Sequence, residues 1–315
     1  MNRKALIVGI KGTTLSSFEV SFLKKEKPWG VILFSRNIQN LTQLKNLIYK
    51  IKKILNDKKY PILIDQEGGK VSRLNKIVDL SIFSQSLFAN LYKKDKKLFY
   101  NNLKIYIDLV CNIMNKVGVN INTVPVLDVV RKNSHEIIGD RSFSSNPDLV
   151  SKMGNIYIKL FNKNKIATVT KHIPGHGLSK SDSHFKLQSI NASKKKLTNI
   201  DFKPFKKCKT FFSMTAHIIY KTYDPNFTAT HSKIIINKVI RKKIGFKGIV
   251  ISDDISMKSL KYGLINNALM ALEAGCNLVL HCNGNIKEMR MLSKVIPNID
   301  VFTEKKTSQF YKFLG

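Results

Sequence analysis

Ala167-Thr168-Val169-Thr170-Lys171-His172-Ile173-Pro174-Gly175-His176-Gly177 runs from a β-branched, apolar segment straight into a turn. Its first half reads as a strand. Its second half cannot continue a helix or a central strand, because proline and glycine interrupt both. Three of the chain's seven histidines lie between Lys171 and His184, and Asp182-Ser183-His184 closes the stretch. A loop that leaves a strand carrying histidines and an Asp-x-His pair is where catalytic groups are usually displayed.

The same unit, an apolar run that ends in polar residues, recurs along the chain. Candidate strands are Ala5–Ile10, Gly30–Ser35, Pro61–Asp65, Val119–Asp128, Ala167–His172, Phe211–His217, Gly248–Asp253 and Leu278–Cys282. Most are continuous rather than alternating, the pattern of parallel strands buried on both faces. Helical periodicity fills the gaps at Leu41–Leu55, Leu98–Lys116, Pro147–Lys163, Ser232–Ile244 and Ile265–Ala274. Asn146-Pro147 and Thr230-His231-Ser232 suit helix starts, and Gly275 suits a helix stop. Eight strands alternating with helices predict an α/β TIM (β/α)8 barrel. A doubly wound sheet is the alternative, but no Gly-x-Gly-x-x-Gly follows the first strand. With no repeat, linker or break in composition, residues 1–315 are expected to form a single domain.

Composition narrows the classes further. The 315 residues are 43% hydrophobic, enough for one large core. Cys111, Cys208, Cys276 and Cys282 are scattered with no Cys-x-x-Cys pair, so neither a disulfide framework nor a zinc ribbon is indicated. No apolar stretch approaches the ~20 residues that span a bilayer. The N-terminal apolar run is too short for a secretory signal. A cytoplasmic protein without membrane attachment is expected. The formal net charge is +33, but the lysines are spread along the chain and no helix-turn-helix, RNP-type or zinc-finger pattern accompanies them. Specific nucleic-acid binding is not expected, and weak attraction to polyanions at low salt is. A polyanion-binding protein is the alternative from outside the enzymes.

Catalytic groups of such barrels sit at the C-terminal ends of the strands. There the sequence places Asp65-Gln66-Glu67-Gly68-Gly69, Asp128, Lys171-His172, His217, Asp253-Asp254 and Asn283. Each alone is as readily a satisfied polar group at a strand end, but together they favour an active site. Paired carboxylates suit a glycosidase. Histidines at strand ends suit a metal-dependent hydrolase. The first strand ends in Gly9-Ile10-Lys11-Gly12 without a ligand, and Lys171 beside His172 disfavours a cation, so no metal or other cofactor is expected.

Five segments, in order, carry a resemblance. They are Ile64 to Arg73 (IDQEGGKVSR), Gly139-Asp140-Arg141-Ser142-Phe143, Lys171 to Gly177 with Asp182-Ser183-His184, Met214-Thr215-Ala216-His217, and Gly248 to Met257 with Ser252-Asp253-Asp254. In these the chain resembles the family 3 glycoside hydrolases, and within them the single-domain bacterial β-N-acetylhexosaminidases of peptidoglycan recycling. The resemblance implies a retaining, two-step mechanism. Asp253 would be the nucleophile. His184, on a mobile loop in that subgroup, would be the general acid/base, with Asp182 as its dyad partner. Asp65 would accept hydrogen bonds from sugar hydroxyls, and Arg73, Arg141, Lys171 and His172 would donate to hydroxyls or to the acetamido carbonyl. The substrate implied is an amino-sugar muropeptide, N-acetylglucosamine joined to 1,6-anhydro-N-acetylmuramic acid with or without a stem peptide. The expected enzyme works as a monomer in cell-wall recycling.

Chemistry supports such a dyad independently. Imidazole, with a pKa of ~6.5, can donate and accept a proton near neutrality. A carboxylate on one ring nitrogen orients the ring and stabilises the imidazolium. Asp65 and Arg73 read equally as a structural ion pair, and both roles can hold. His176 is expected to shape the loop, Asp254 to be structural and His217 to line the barrel mouth. Two departures from the family pattern stand out. Lys70 replaces the usual arginine, which keeps the charge but not the planar fork, and Ile173 replaces a phenylalanine. A β-glucosidase of the same family and substrate-assisted catalysis by the acetamido group are the alternatives among enzymes.

Overall fold

A computed structural model of the chain describes residues 2–131, 138–179 and 187–315. Eight parallel strands close into a barrel: β1 (Lys4–Gly9), β2 (Pro28–Leu33), β3 (Ile62–Ile64), β4 (Ile121–Asn122), β5 (Ala167–Ile173), β7 (Phe212–Thr215), β9 (Ile249–Asp254) and β10 (Leu278–His281). Each pairs with its sequence neighbour in the barrel, and β10 returns to β1 with Ile7 opposite Leu280. Every residue of β2, β5 and β7 is buried. That two-sided burial is why the runs lack alternation. The TIM barrel expected from the sequence is the fold.

The helices form where the periodicity and the caps agree. Asn146 caps Pro147–Lys163 by accepting from the Asp148 and Leu149 amides. The Ser232 hydroxyl accepts from the Ile235 amide at 3.0 Å, and the turns continue to Ile244 wound as a π-helix. Gly275, at φ 114°, ends Leu264–Ala274 as expected. Beside the barrel rim, β6 (Gln188–Ile190) and β8 (Ile218–Tyr220) make a separate parallel pair that the sequence did not announce.

β4 is far shorter than the Val119–Asp128 run predicts. Pro125 has no amide to donate, and the Val124-Pro125 bond is cis. Side chains take over the strand's role. Asn120 Oδ1 accepts the Ile62 amide at 2.9 Å, and Asn122 Oδ1 accepts the Gln66 amide at 3.0 Å. Pairing resumes further on, where the Leu127 amide donates to the Lys171 carbonyl at 2.7 Å. The segment therefore reaches Asp128 in register with β5.

The N-terminal end of the barrel is closed by the last helix, Val301–Leu314. Phe310 is fully buried with its ring 5.3 Å from that of Phe212, and Trp29 meets Phe212 edge-on at 5.5 Å. The Trp29 indole donates to the Thr307 hydroxyl at 2.9 Å, satisfying the one polar atom of the buried ring. Chemistry is left to the other end.

Candidate active site

At the C-terminal rim, β3 delivers Asp65 and Glu67, β5 delivers Lys171 and His172, and β9 delivers Asp253. Gly68 and Gly69, at φ 84° and 60°, turn the chain immediately after Glu67. A side chain at Gly68 would sit 2.0 Å from the Phe83 carbonyl, so only glycine fits that turn.

Lys171 is buried among these acids. Its Nζ lies 2.6 Å from Glu67 Oε1, 3.1 Å from Asp65 Oδ1 and 3.0 Å from the Thr123 hydroxyl. Thr123 in turn donates to Asp65. Arg141 grips Glu67 with both edges of its fork, Nε to Oε2 at 2.7 Å and Nη2 to Oε1 at 2.9 Å. Arg73 stands 3.6 Å from Asp65 Oδ2. Burial alone would raise both carboxyl pKa values, but the cations outweigh it. Lys171 and Arg73 hold Asp65 well below the usual range, while Arg141 and Lys171 bring Glu67 down to about 2. The same pairing raises Lys171 against a burial effect that would lower it. Asp65, Glu67, Lys171 and Arg141 are therefore all charged at neutral pH.

His172 is set by Asp128. The fully buried Asp128 carboxylate accepts from three donors: His172 Nδ1 at 2.7 Å, the His172 amide at 3.2 Å and the His176 amide at 2.7 Å. Burial would raise the Asp128 pKa, but His172 lowers it further. With Nδ1 donating to Asp128, His172 presents Nε2 to the mouth, 4.0 Å from Asp253 Oδ2. The Asp254 amide donates to Asp253 Oδ1 at 2.8 Å. Asp254 itself faces the backbone, accepting from the Cys282 amide at 3.2 Å and from Ser256.

His217 is buried, which pushes its pKa down, and it is fixed at both nitrogens. Its Nε2 donates to the Asp254 carbonyl at 3.0 Å, so Nδ1 is left to accept from the Thr230 hydroxyl at 2.7 Å. His176 is driven down to about 4, by burial first and by His172 second. The turn between them is packed without slack: a Cβ on Gly177 would fall 1.9 Å from the Val129 carbonyl. The Tyr220 hydroxyl of β8 donates to the Gly175 carbonyl.

The structure thus gathers Asp65, Arg73, Arg141, Lys171, His172 and Asp253 on one rim. Asp182 and His184 lie outside the described residues. Glu67 and Asp128 are partners that the candidate site residues did not include. A signal for Glu67 existed in its place beside Asp65 at the same strand end. Among the described residues no group of three or more His, Cys, Asp or Glu could hold a metal ion, and no helix is long and apolar enough to cross a membrane.

Asp128→Asn tests the His172 support. The amide side chain would turn an N–H toward one of the three donors, and a buried donor left unmatched costs about 1–3 kcal/mol. A shifted His172 is expected to lower kcat/KM by about 10–100-fold, since small misplacements cost that much. Steady-state kinetics and thermal unfolding of the variant measure both, and wild-type kinetics would refute the support.

A closed barrel with charged groups gathered at its C-terminal rim has the layout of a TIM-barrel enzyme. Residues 8–310 match the glycosyl hydrolase family 3 N-terminal domain, and the chain belongs to that family. It is 32% identical over 295 residues to a β-hexosaminidase of Shewanella frigidimarina, covering 92% of this chain and 85% of that one. A β-hexosaminidase of Alkalilimnicola ehrlichii is 35% identical over 285 residues, with 88% and 80% covered. NagZ from Neisseria gonorrhoeae, solved in complex with N-trifluoroacetyl-D-glucosamine, superposes with a TM-score of 0.87 at 28% identity, over 100% of this chain and 90% of that one. A family 3 β-N-acetylglucosaminidase from Paenibacillus shares the fold at TM-score 0.86 and 24% identity, and this chain spans 60% of its length.

Proposed function

We propose that this chain is a retaining exo-β-N-acetylglucosaminidase. In this reading it removes nonreducing N-acetylglucosamine from 1,6-anhydro-N-acetylmuramic acid, with or without a stem peptide, during cell-wall recycling. The observation that carries the reading is the rim itself. Asp253, anchored by the Asp254 amide, faces His172 at a mouth lined by Asp65, Lys171 and Arg141. The β-hexosaminidase relatives and the sugar-bound Neisseria neighbour support the amino-sugar assignment.

In the first step a carboxylate oxygen of Asp253 attacks the anomeric carbon. The glycosidic C–O bond breaks, and the leaving oxygen takes a proton from the His184 imidazolium, which Asp182 orients. In the second step His184 removes a proton from water. The hydroxide equivalent replaces Asp253 at the anomeric carbon and releases the free sugar with the same configuration. Asp65 accepts from sugar hydroxyls, and the Lys171, Arg73, Arg141 and His172 donors fix the ring or its acetamido carbonyl. The reading takes residues 1–315 as one catalytic domain, monomeric and cytoplasmic, that uses no metal or other cofactor.

The test is hydrolysis of 4-nitrophenyl N-acetyl-β-D-glucosaminide beside 4-nitrophenyl β-D-glucoside, with fluorosugar trapping and peptide mass analysis. The reading expects a strong preference for the amino sugar and a sugar adduct on the peptide holding Asp253. Preference for the glucoside would make the chain a β-glucosidase of the same family. Turnover without an adduct would favour attack by the acetamido group. No turnover of either would overturn the enzyme reading.

A further inference from the structure

We propose that Phe34 is a positioning residue for sugar binding, its ring face holding the Arg73 guanidinium over Asp65. The proposal rests on the reading above, in which Arg73 donates to the substrate. Among the described residues, the contacts that restrain the Arg73 side chain are few. Its backbone is firmly held, the amide donating to Gln66 Oε1 at 2.8 Å. The guanidinium has the 3.6 Å ion pair to Asp65, which is longer than a hydrogen bond and so fixes distance but not orientation. Its buried Nε has no hydrogen-bond partner. What remains is the Phe34 ring, whose centroid lies 5.4 Å from the Arg73 guanidinium carbon. A planar guanidinium against a ring face is restrained in tilt as well as position.

A second cation makes the ring necessary. The Arg36 guanidinium lies 4.6 Å from the same centroid. It is itself immobilised, donating from Nε to the Ile10 carbonyl at 2.9 Å and from Nη2 to the Cys282 carbonyl. The Arg36 pKa is lowered by burial first, with the charge of Arg73 adding to it. Two like charges thus share one ring, whose negative face offsets their repulsion. With the ring removed, the pinned Arg36 stays and the loosely held Arg73 is pushed toward solvent. Phe34 occupies this place because it directly follows β2, whose Leu33 pairs with Ile64, the residue before Asp65.

Phe34→Leu keeps the apolar bulk and removes the π face, whereas Phe34→Tyr keeps the face. On 4-nitrophenyl N-acetyl-β-D-glucosaminide, Phe34→Leu is expected to raise KM about tenfold, the size of one desolvated cation–π contact. Its kcat is expected to stay within about threefold of wild type, and Phe34→Tyr to restore KM. In a cycle with Arg73→Ala, the double variant should have the KM of Arg73→Ala alone. An unchanged KM in Phe34→Leu, or effects that multiply in the double variant, would overturn the proposal. Should wild type be inert on this substrate, the functional reading fails separately. The same cycle read by urea unfolding then decides, coupling supporting the contact and additivity refuting it.

Discussion

Asp253→Ala is expected to lower kcat/KM on 4-nitrophenyl N-acetyl-β-D-glucosaminide by about 10⁴-fold or more, the usual cost of removing a covalent nucleophile, which is the role proposed for Asp253. The geometry makes this loss hard to compensate. Asp254, next in the chain, has its carboxylate committed to the Cys282 amide and to Ser256. His172 Nε2, the group that Asp253 faces at 4.0 Å, is turned there by Asp128 and brings no carboxylate that could take the place of Asp253. The fold should survive, because Asp253 sits at the open rim, 22% exposed, and not within the core. Circular dichroism matching wild type together with a collapse in turnover is the expected pair of results. Activity within tenfold of wild type would remove Asp253 from the mechanism.

Lys171→Met should harm both stability and activity. The substitution leaves Asp65 and Glu67 with one cationic partner fewer in a buried place, and breaking a buried ion pair costs about 3–5 kcal/mol. The acid limb shows the effect most directly. Both carboxyl pKa values are depressed in the fold, so their contribution is present above the unfolded carboxylate range of ~4 and lost as pH falls through the folded values, about 2 for Glu67 and lower for Asp65. Removing Lys171 raises those folded values, so acid unfolding should begin at higher pH. Trp29, the single tryptophan and fully buried at the closed end of the barrel, reports that transition by fluorescence. Identical acid-unfolding curves for the variant and wild type would mean that Lys171 does not bind the cluster together.

The sequence was most legible where one element sufficed. Continuous apolar runs located all eight barrel strands, since burial on both faces leaves a local mark, and strand ends located the rim because a barrel gathers them whatever its loops do. It was least legible where partners come from distant segments. Glu67 stood among the polar residues at the end of the third strand, yet its partners are 74 residues away at Arg141 and on another strand at Lys171. Asp128 stood at a predicted strand end, but its three donors at His172 and His176 become visible only when β4 and β5 are side by side. β4 shrank because asparagine side chains substitute for ladder bonds that a propensity reading assigns to the backbone. The helix Ser17–Glu26 escaped notice because it buries little more than Glu19, Phe22 and Leu23.

The last helix also separates two engineering problems. Phe310, Thr307 and Trp29 interlock at the end of the barrel opposite Asp253. Directed evolution for heat tolerance can therefore draw its libraries from this plug, leaving the charged rim untouched. A C-terminal fusion or surface tether would likewise anchor the molecule with its catalytic opening turned outward.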